Sequence, residues 1–198
     1  MTVRTRKPGA ERKREIVDTA IRLAAECGPE RLSTESLARE IGISQPAIFR
    51  HFSTKSDIWQ AVGERICSLM SESSALVEAT EPTDRLRKLV AAQLAFIEIT
   101  PAVPAILFSR ELHSENEKLR AFFAGLMAQR HKNLSALFVK GIETGAFDPN
   151  TDPDDAAYLI MALIQGLAMR WSLNNRNFDL LETGAKLIEL QISGFARR

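Results

Sequence analysis

Between Gln45 and His51 the chain carries side chains that suit the edge of a base pair: Gln45, Ala47, Arg50 and His51. A glutamine amide pairs with adenine and an arginine with guanine, each through two hydrogen bonds, and an alanine methyl can rest against the methyl of thymine. Close by stand groups that suit phosphate: the hydroxyls of Ser33, Thr34 and Ser44, and the ammonium of Lys55. Contacts of this second kind fix a protein's register on a duplex, while base contacts specify sequence. Other chemistries find little support. No nucleophile–base pair and no glycine-rich phosphate loop stands out, so an enzyme with an all-helical site is a weak alternative. His113 has Glu111 and Glu115 as neighbours, but residues two apart do not share a helical face, and neither a metal nor a cofactor is expected. Cys27 and Cys67 have no CxxC or Cys/His spacing, and two buried free thiols are the expectation.

The reading residues need a frame, and residues 33–55 supply one. Leu37, Ala38 and Ile41 lie on one helical face. Gly42 sits where the chain must reverse and tolerates the positive φ that ends a helix. Ser44 is placed to cap a following helix over about residues 45–51, and Pro46 is tolerated in its first turn. The result is a helix-turn-helix, whose second helix can lie in the major groove. Its first helix covers residues 33–41, and the motif ends near Phe52. A preceding helix over residues 10–27 braces it, ended by Gly28-Pro29. Ahead of that, residues 1–9 carry Arg4, Arg6 and Lys7 and read as a cationic arm. Arg12, Lys13 and Arg14 can also reach phosphates.

The remaining chain is helical as well. Thr54 and Asp57 have capping-box spacing for a long fourth helix over residues 55–79, which connects the two halves. A fifth is expected over 83–99, and a short sixth follows Thr100-Pro101, distorted by Pro104. Ser114 and Glu117 have the spacing to cap a seventh running to about Thr144. Asp152-Pro153-Asp154-Asp155 starts an eighth that reaches Leu173, and Asp179 a ninth that reaches Ala196. The eighth is apolar nearly all round, so it must be covered on several sides. The cover is either the centre of the subunit's own core or a second subunit, and closed two-fold pairs are common. No strand pattern survives, no apolar run of about 18 residues crosses a membrane, and no signal-peptide core precedes the first helix. A cytoplasmic protein is expected.

Charge divides the same way. The chain carries a net charge of +1. Residues 1–55 hold 11 Lys and Arg against 7 Asp and Glu, and the remainder holds 15 against 18. A basic end on a mildly acidic body fits a polyanion-binding unit joined to something with another task. A helical adaptor with an idle helix-turn-helix is the third alternative, and it gives no reason to keep Gln45, Arg50 and Lys55.

Leu32-Ser33-Thr34, Leu37-Ala38, Gly42-Ile43-Ser44, Ala47-Ile48-Phe49, His51-Phe52 and Lys55 form an ordered pattern that resembles the DNA-binding domain of the TetR (tetracycline repressor) family of bacterial regulators. The resemblance implies an all-α protein of about nine helices. It has a three-helix DNA-binding domain over residues 10–55 and an effector-binding and dimerisation domain over residues 80–198. It implies DNA contacts from Ser33, Thr34, Ser44, Gln45, Pro46, Ala47, Phe49, Arg50, His51 and Lys55. The family pattern usually has tyrosine where Phe49 stands, so a hydroxyl contact to phosphate is missing here. It also implies a homodimer on a palindromic double-stranded operator, joined by the last two helices of each subunit, with Ile160, Leu163, Ile164, Gly166, Leu167, Leu187 and Leu190 at the interface. A small hydrophobic effector would sit between the middle helices, with Phe96, Phe108, Phe122, Met127, His131 and Trp171 as lining, and release a repressor from DNA. The prolines make the sixth helix the element expected to move.

Overall fold

The computed structural model describes residues 7–75 and 77–196; Arg4 and Arg6 of the arm, Leu76 and the side chain of Glu111 lie outside the described residues. The described residues form ten α-helices and no strand. Helix α1 (Gly9–Cys27) ends at Gly28, whose φ is +86°. Helix α2 (Thr34–Ile41) begins at a reciprocal pair of serines: Ser36 N donates to Ser33 Oγ at 3.0 Å, and Ser33 N donates to Ser36 Oγ at 3.1 Å. It ends at Gly42 in the left-handed region, φ +71°, where Ile43 N reaches back to the Ala38 carbonyl.

Helix α3 (Gln45–Phe49) ends two residues earlier than expected. Arg50 and His51 continue as a turn in which His51 N and Phe52 N both donate to the Ile48 carbonyl. Ser44 precedes α3 but makes no side-chain cap, so α3 starts on Pro46 and its packing alone. Thr54 and Asp57 bond reciprocally at 2.9 and 3.1 Å, as their spacing predicts, and open α4 (Lys55–Ala75). This helix stops short of residue 79, in a turn where Val77 N donates to the Ser74 carbonyl.

Helices α5 (Pro82–Ile99) and α6 (Ala102–Leu107) follow. The expected seventh helix is two. Ser109 Oγ accepts from Leu112 N and starts α7 (Arg110–Glu115), and Asn116 Oδ1 accepts from Leu119 N and starts α8 (Glu117–Glu143). Ser114 therefore lies inside α7 rather than at the start of α8. The break is local competition: the Asn116 side chain captures a backbone N–H that a continuous helix would use, and the backbone there is non-helical. Helix α9 (Pro153–Leu173) is capped by Asp152, which accepts from Asp154 N and Asp155 N, and α10 (Leu180–Phe195) by Asp179.

Two apolar cores hold these helices. The first joins α1–α4, around Ile16, Leu37, Ile48, Trp59 and Ile66, and also takes in Phe96, Ala102, Ile106, Leu119 and Phe123. The second joins α5, α8, α9 and α10 around Leu94, Phe138, Phe147, Ile160 and Trp171. Close approach in the second depends on missing side chains. A Cβ at Gly184 would stand 2.0 Å from Leu94 Cδ1, and one at Gly141 would stand 2.1 Å from Phe147. Helix α9 has the length and composition to cross a membrane, yet its inner face packs into this core. Cys27 is exposed rather than buried, with its Sγ donating to the Leu23 carbonyl, and Cys67 is half-buried; both are free thiols.

Candidate nucleic-acid interface and interior cavity

Helix α3 is anchored by the buried Ala47 and Ile48 and packs on α2, so its opposite side stands outward. Gln45, Pro46, Phe49 and Arg50 are exposed there, with Phe49 at 44%. Ser33, Ser44 and Lys55 are exposed around them, and His51 is half-buried. Ala47 is only 9% exposed and forms part of the floor of a concavity of about 580 Å3 walled by Lys7, Gly9, Arg12, Ile43, Arg50 and His51.

Thr34 is buried, and its Oγ1 accepts a 2.7 Å hydrogen bond from Gln45 Nε2. That hydroxyl is therefore turned toward α3 and orients the Gln45 amide, a role the sequence alone did not suggest. Ser33 Oγ accepts from Ser36 N in the α2 cap, which leaves its O–H proton to donate elsewhere. Among the described residues, neither Arg50 nor Lys55 has an acidic partner, whereas Lys7 and Arg12 both pair with Glu15, at 3.0 and 2.6 Å. Lys13 lies over the Phe52 ring at 5.6 Å. Burial first, and then Arg12, Lys13 and Arg50, lower the pKa of His51 below its usual value, so its imidazole is neutral at neutral pH.

A second concave feature lies inside the helical body. Five helices line it: Ile66 and Met70 from α4, Gln93 and Ile97 from α5, Val103, Pro104 and Leu107 from α6, Phe123, Leu126 and Met127 from α8, and Ile164, Gln165 and Ala168 from α9, with Phe108 beside them. Its free volume is about 30 Å3, room for a water or two. Of the aromatic and sulfur residues singled out from sequence, Phe108 and Met127 line it. The other four do not, and packing explains each. Phe96 is buried in the first core, and Phe122 closes over Gly63. Trp171 is buried in the second core, with the Arg176 guanidinium at 5.8 Å. His131 stacks on Tyr158 at 4.2 Å and bonds through Nε2 to the Asp154 carbonyl.

The set expected at a subunit interface also divides. Ile160, Ile164 and Leu167 are buried within the subunit's own core, because they lie on the face of α9 that meets α5 and α8. Those three are thus already covered within one subunit. Leu163 and Leu187 are half-buried, and Gly166 and Leu190 are exposed. Among the described residues no three of His, Cys, Asp and Glu converge. His113 instead bonds through Nε2 to the Leu107 carbonyl at 3.0 Å and meets the Phe123 ring edge-on.

Residues 16–62 match the model of the bacterial regulatory proteins of the tetR family, and residues 82–189 match the C-terminal model of BetI-type transcriptional repressors. The chain belongs to the TetR family. As a TetR-family transcriptional regulator it has relatives of several kinds. The nucleoid occlusion factor SlmA of Shewanella halifaxensis is 28% identical over 162 residues, 80% of this chain and 82% of that protein. A Saccharomonospora viridis protein in complex with choline superposes with a TM-score of 0.85 at 24% identity, over 96% of this chain and all of that one (100%). The regulator FadR of Bacillus subtilis in complex with stearoyl-CoA gives 0.76 at 22%, over 92% and 98%. At such identities the two structural likenesses speak for the fold alone.

Proposed function

We propose that this TetR-family regulator is a sequence-specific repressor that acts in the cytoplasm as a homodimer on a palindromic operator and leaves DNA when a small molecule fills its interior cavity. One observation carries the DNA reading: Arg50, at the outer end of α3, is exposed and free of any acid among the described residues, in a ring of further cations. A surface that only needed solubility would pair such charges with acids, as Arg22 on α1 is paired with Glu26 and Glu40. In this reading Gln45, held by Thr34, and Arg50 meet base edges, with Pro46, Phe49 and the rim of Ala47 against sugars and methyls. Ser33, Ser44 and Lys55 meet phosphates, and a neutral His51 can accept or donate one hydrogen bond.

Pairing is supported by an apolar stripe that the subunit leaves uncovered. Leu159, Ala162, Gly166 and Leu173 are exposed along α9, and Leu190 on α10 is 67% exposed. Leu163 and Leu187 flank them. The effector reading is supported by the cavity's position against α4 and α6, which both pack on α1, and by the small molecules held by two proteins of the same fold. The test is binding of the full chain to the DNA upstream of its own gene and neighbouring promoters in rising salt, with footprinting of any complex. A protected palindrome whose affinity falls with salt supports the reading. No specific complex at low salt on any of these fragments removes it.

A further inference from the structure

Arg130 stands where a leucine would be expected. Along α8 the inward positions are Leu119, Phe123, Leu126, Met127, Leu134 and Leu137, and Arg130 continues that row. Its guanidinium donates to Gln93 Oε1 and to Met70 Sδ, and both of those residues line the interior cavity. Among the described residues no carboxylate lies within ion-pair distance of it. Burial pushes its pKa down, and the one titratable neighbour acting the other way is the Cys67 thiol on α4. A guanidinium offers five N–H donors; here one meets an amide oxygen and another a thioether, which is a weak acceptor. Arg130 is half-buried, and a cation drawn this far from water without an acid is costly; a carboxylate or phosphate presented in its plane would satisfy it with two parallel bonds.

We propose that Arg130 is the head-group receptor of the cavity and that the effector is an anionic amphiphile: a carboxylate or phosphate head on an apolar tail. The inference rests on the effector reading above and names the chemistry of that same site. The acid displaces Met70 Sδ from the guanidinium, and Gln93 and Gln165 supply the remaining amide donors at the cavity wall. The tail enters among Leu107, Phe108, Leu126 and Met127. The present free volume of about 30 Å3 is too small for it, so these side chains must part, which the unbranched methionines allow at low cost. A quaternary ammonium or another cation meets the wrong sign of charge.

Isothermal titration calorimetry of the full chain with octanoate, octan-1-ol and octyltrimethylammonium reads the preference directly, since the three share a tail and differ in head. Octanoate is expected to bind at least about ten-fold tighter than the alcohol, a gap that one charge-assisted hydrogen-bonded pair supplies, with the ammonium weakest. Arg130→Met is expected to bring octanoate down to the alcohol, and Arg130→Lys to keep most of the preference. Melting of the unliganded variants separates this role from packing: removal of an unpaired buried charge leaves Tm unchanged or raises it. A variant that melts lower and still prefers octanoate overturns the assignment to Arg130. Should Arg130→Met fail to fold, the head-group order on the unaltered chain decides. Equal binding of acid and alcohol there, or tighter binding of the ammonium, overturns the anionic head and leaves the effector reading standing. If none of the three binds to a preparation that still binds its operator, the head-group proposal and the effector reading both fall, and the DNA reading survives.

Discussion

The outer face of α3 and the interior cavity are built on opposite plans. The first is made from neighbours in sequence: a serine pair, a left-handed glycine and a threonine–glutamine bond set a short helix outward within residues 33–51. Its cations are exposed and face solvent. The second is assembled from five helices spread over residues 66–168, almost wholly apolar, with the Arg130 guanidinium bonded to two of its lining residues, Met70 and Gln93. Charge left open to water costs little, so the first region can keep unpaired cations ready for a polyanion. Charge kept from water costs much, so the second can hold one only where a partner arrives. The two regions are therefore tuned by different forces, screened electrostatics outside and packing inside, and substitutions should separate them.

The sharpest separation comes from the second core. Phe138 is fully buried, with the Phe147 ring tilted against it at 4.9 Å and the Phe195 ring edge-on at 5.0 Å. Phe138→Ala should cost about 3–5 kcal/mol by the urea midpoint while the α3 face keeps its local bonds. Arg50→Ala should do the reverse. Its Tm stays within error of the parent, while affinity for the preferred operator falls by about 1–3 kcal/mol and discrimination at one base pair is lost. Lys55→Ala sharpens this by contrast, since binding should weaken on every sequence and the salt slope should shrink by about one. Ser33→Ala tests whether the frame of α3 is as local as it looks. Loss of the cap should cost about 1 kcal/mol of stability, with a matching loss at the operator because Thr34, the next residue, orients Gln45.

The smallest effect is the pH response of His51. Its pKa is lowered in the folded chain by burial and by Arg12, Lys13 and Arg50. The unfolded chain therefore takes up the proton first as pH falls, and stability drops from about pH 6.5 downward until the folded value is also passed, with no effect above that. His51→Gln should flatten that part of the stability–pH curve. An unchanged curve would show that neither burial nor the surrounding cations shift this ring.

What the sequence made legible follows the same division. The turn at Gly42, the Thr54–Asp57 box and the Asp152 and Asp179 caps were readable because each cap bonds a backbone group only two or three residues away. The break at Asn116 was not, because Ser114 and Glu117 offered the same spacing between the true caps at Ser109 and Asn116. For α9, apolar residues on every side hid which row turns inward. Ile160, Ile164 and Leu167 pack inside the subunit, and Leu159, Ala162, Gly166 and Leu173 do not. The cavity lining was beyond reach, since it depends on how five helices stack, and aromatic residues at helical spacing serve core and cavity alike. One sign was present and unused: Arg130 interrupts the apolar row of α8.

Helix α4 begins beside α3 and ends against the cavity, unbroken from Lys55 past Met70. At the rise of an α-helix these two residues are about 22 Å apart along its axis. A tilt of about 5° pivoted at Met70 therefore carries Lys55 sideways by about 2 Å over that length. That is enough to lose a hydrogen bond made at 2.9 Å. Under the proposed function, a parting of side chains by the width of a methyl group at one end of this lever would be magnified at the other into a lost grip.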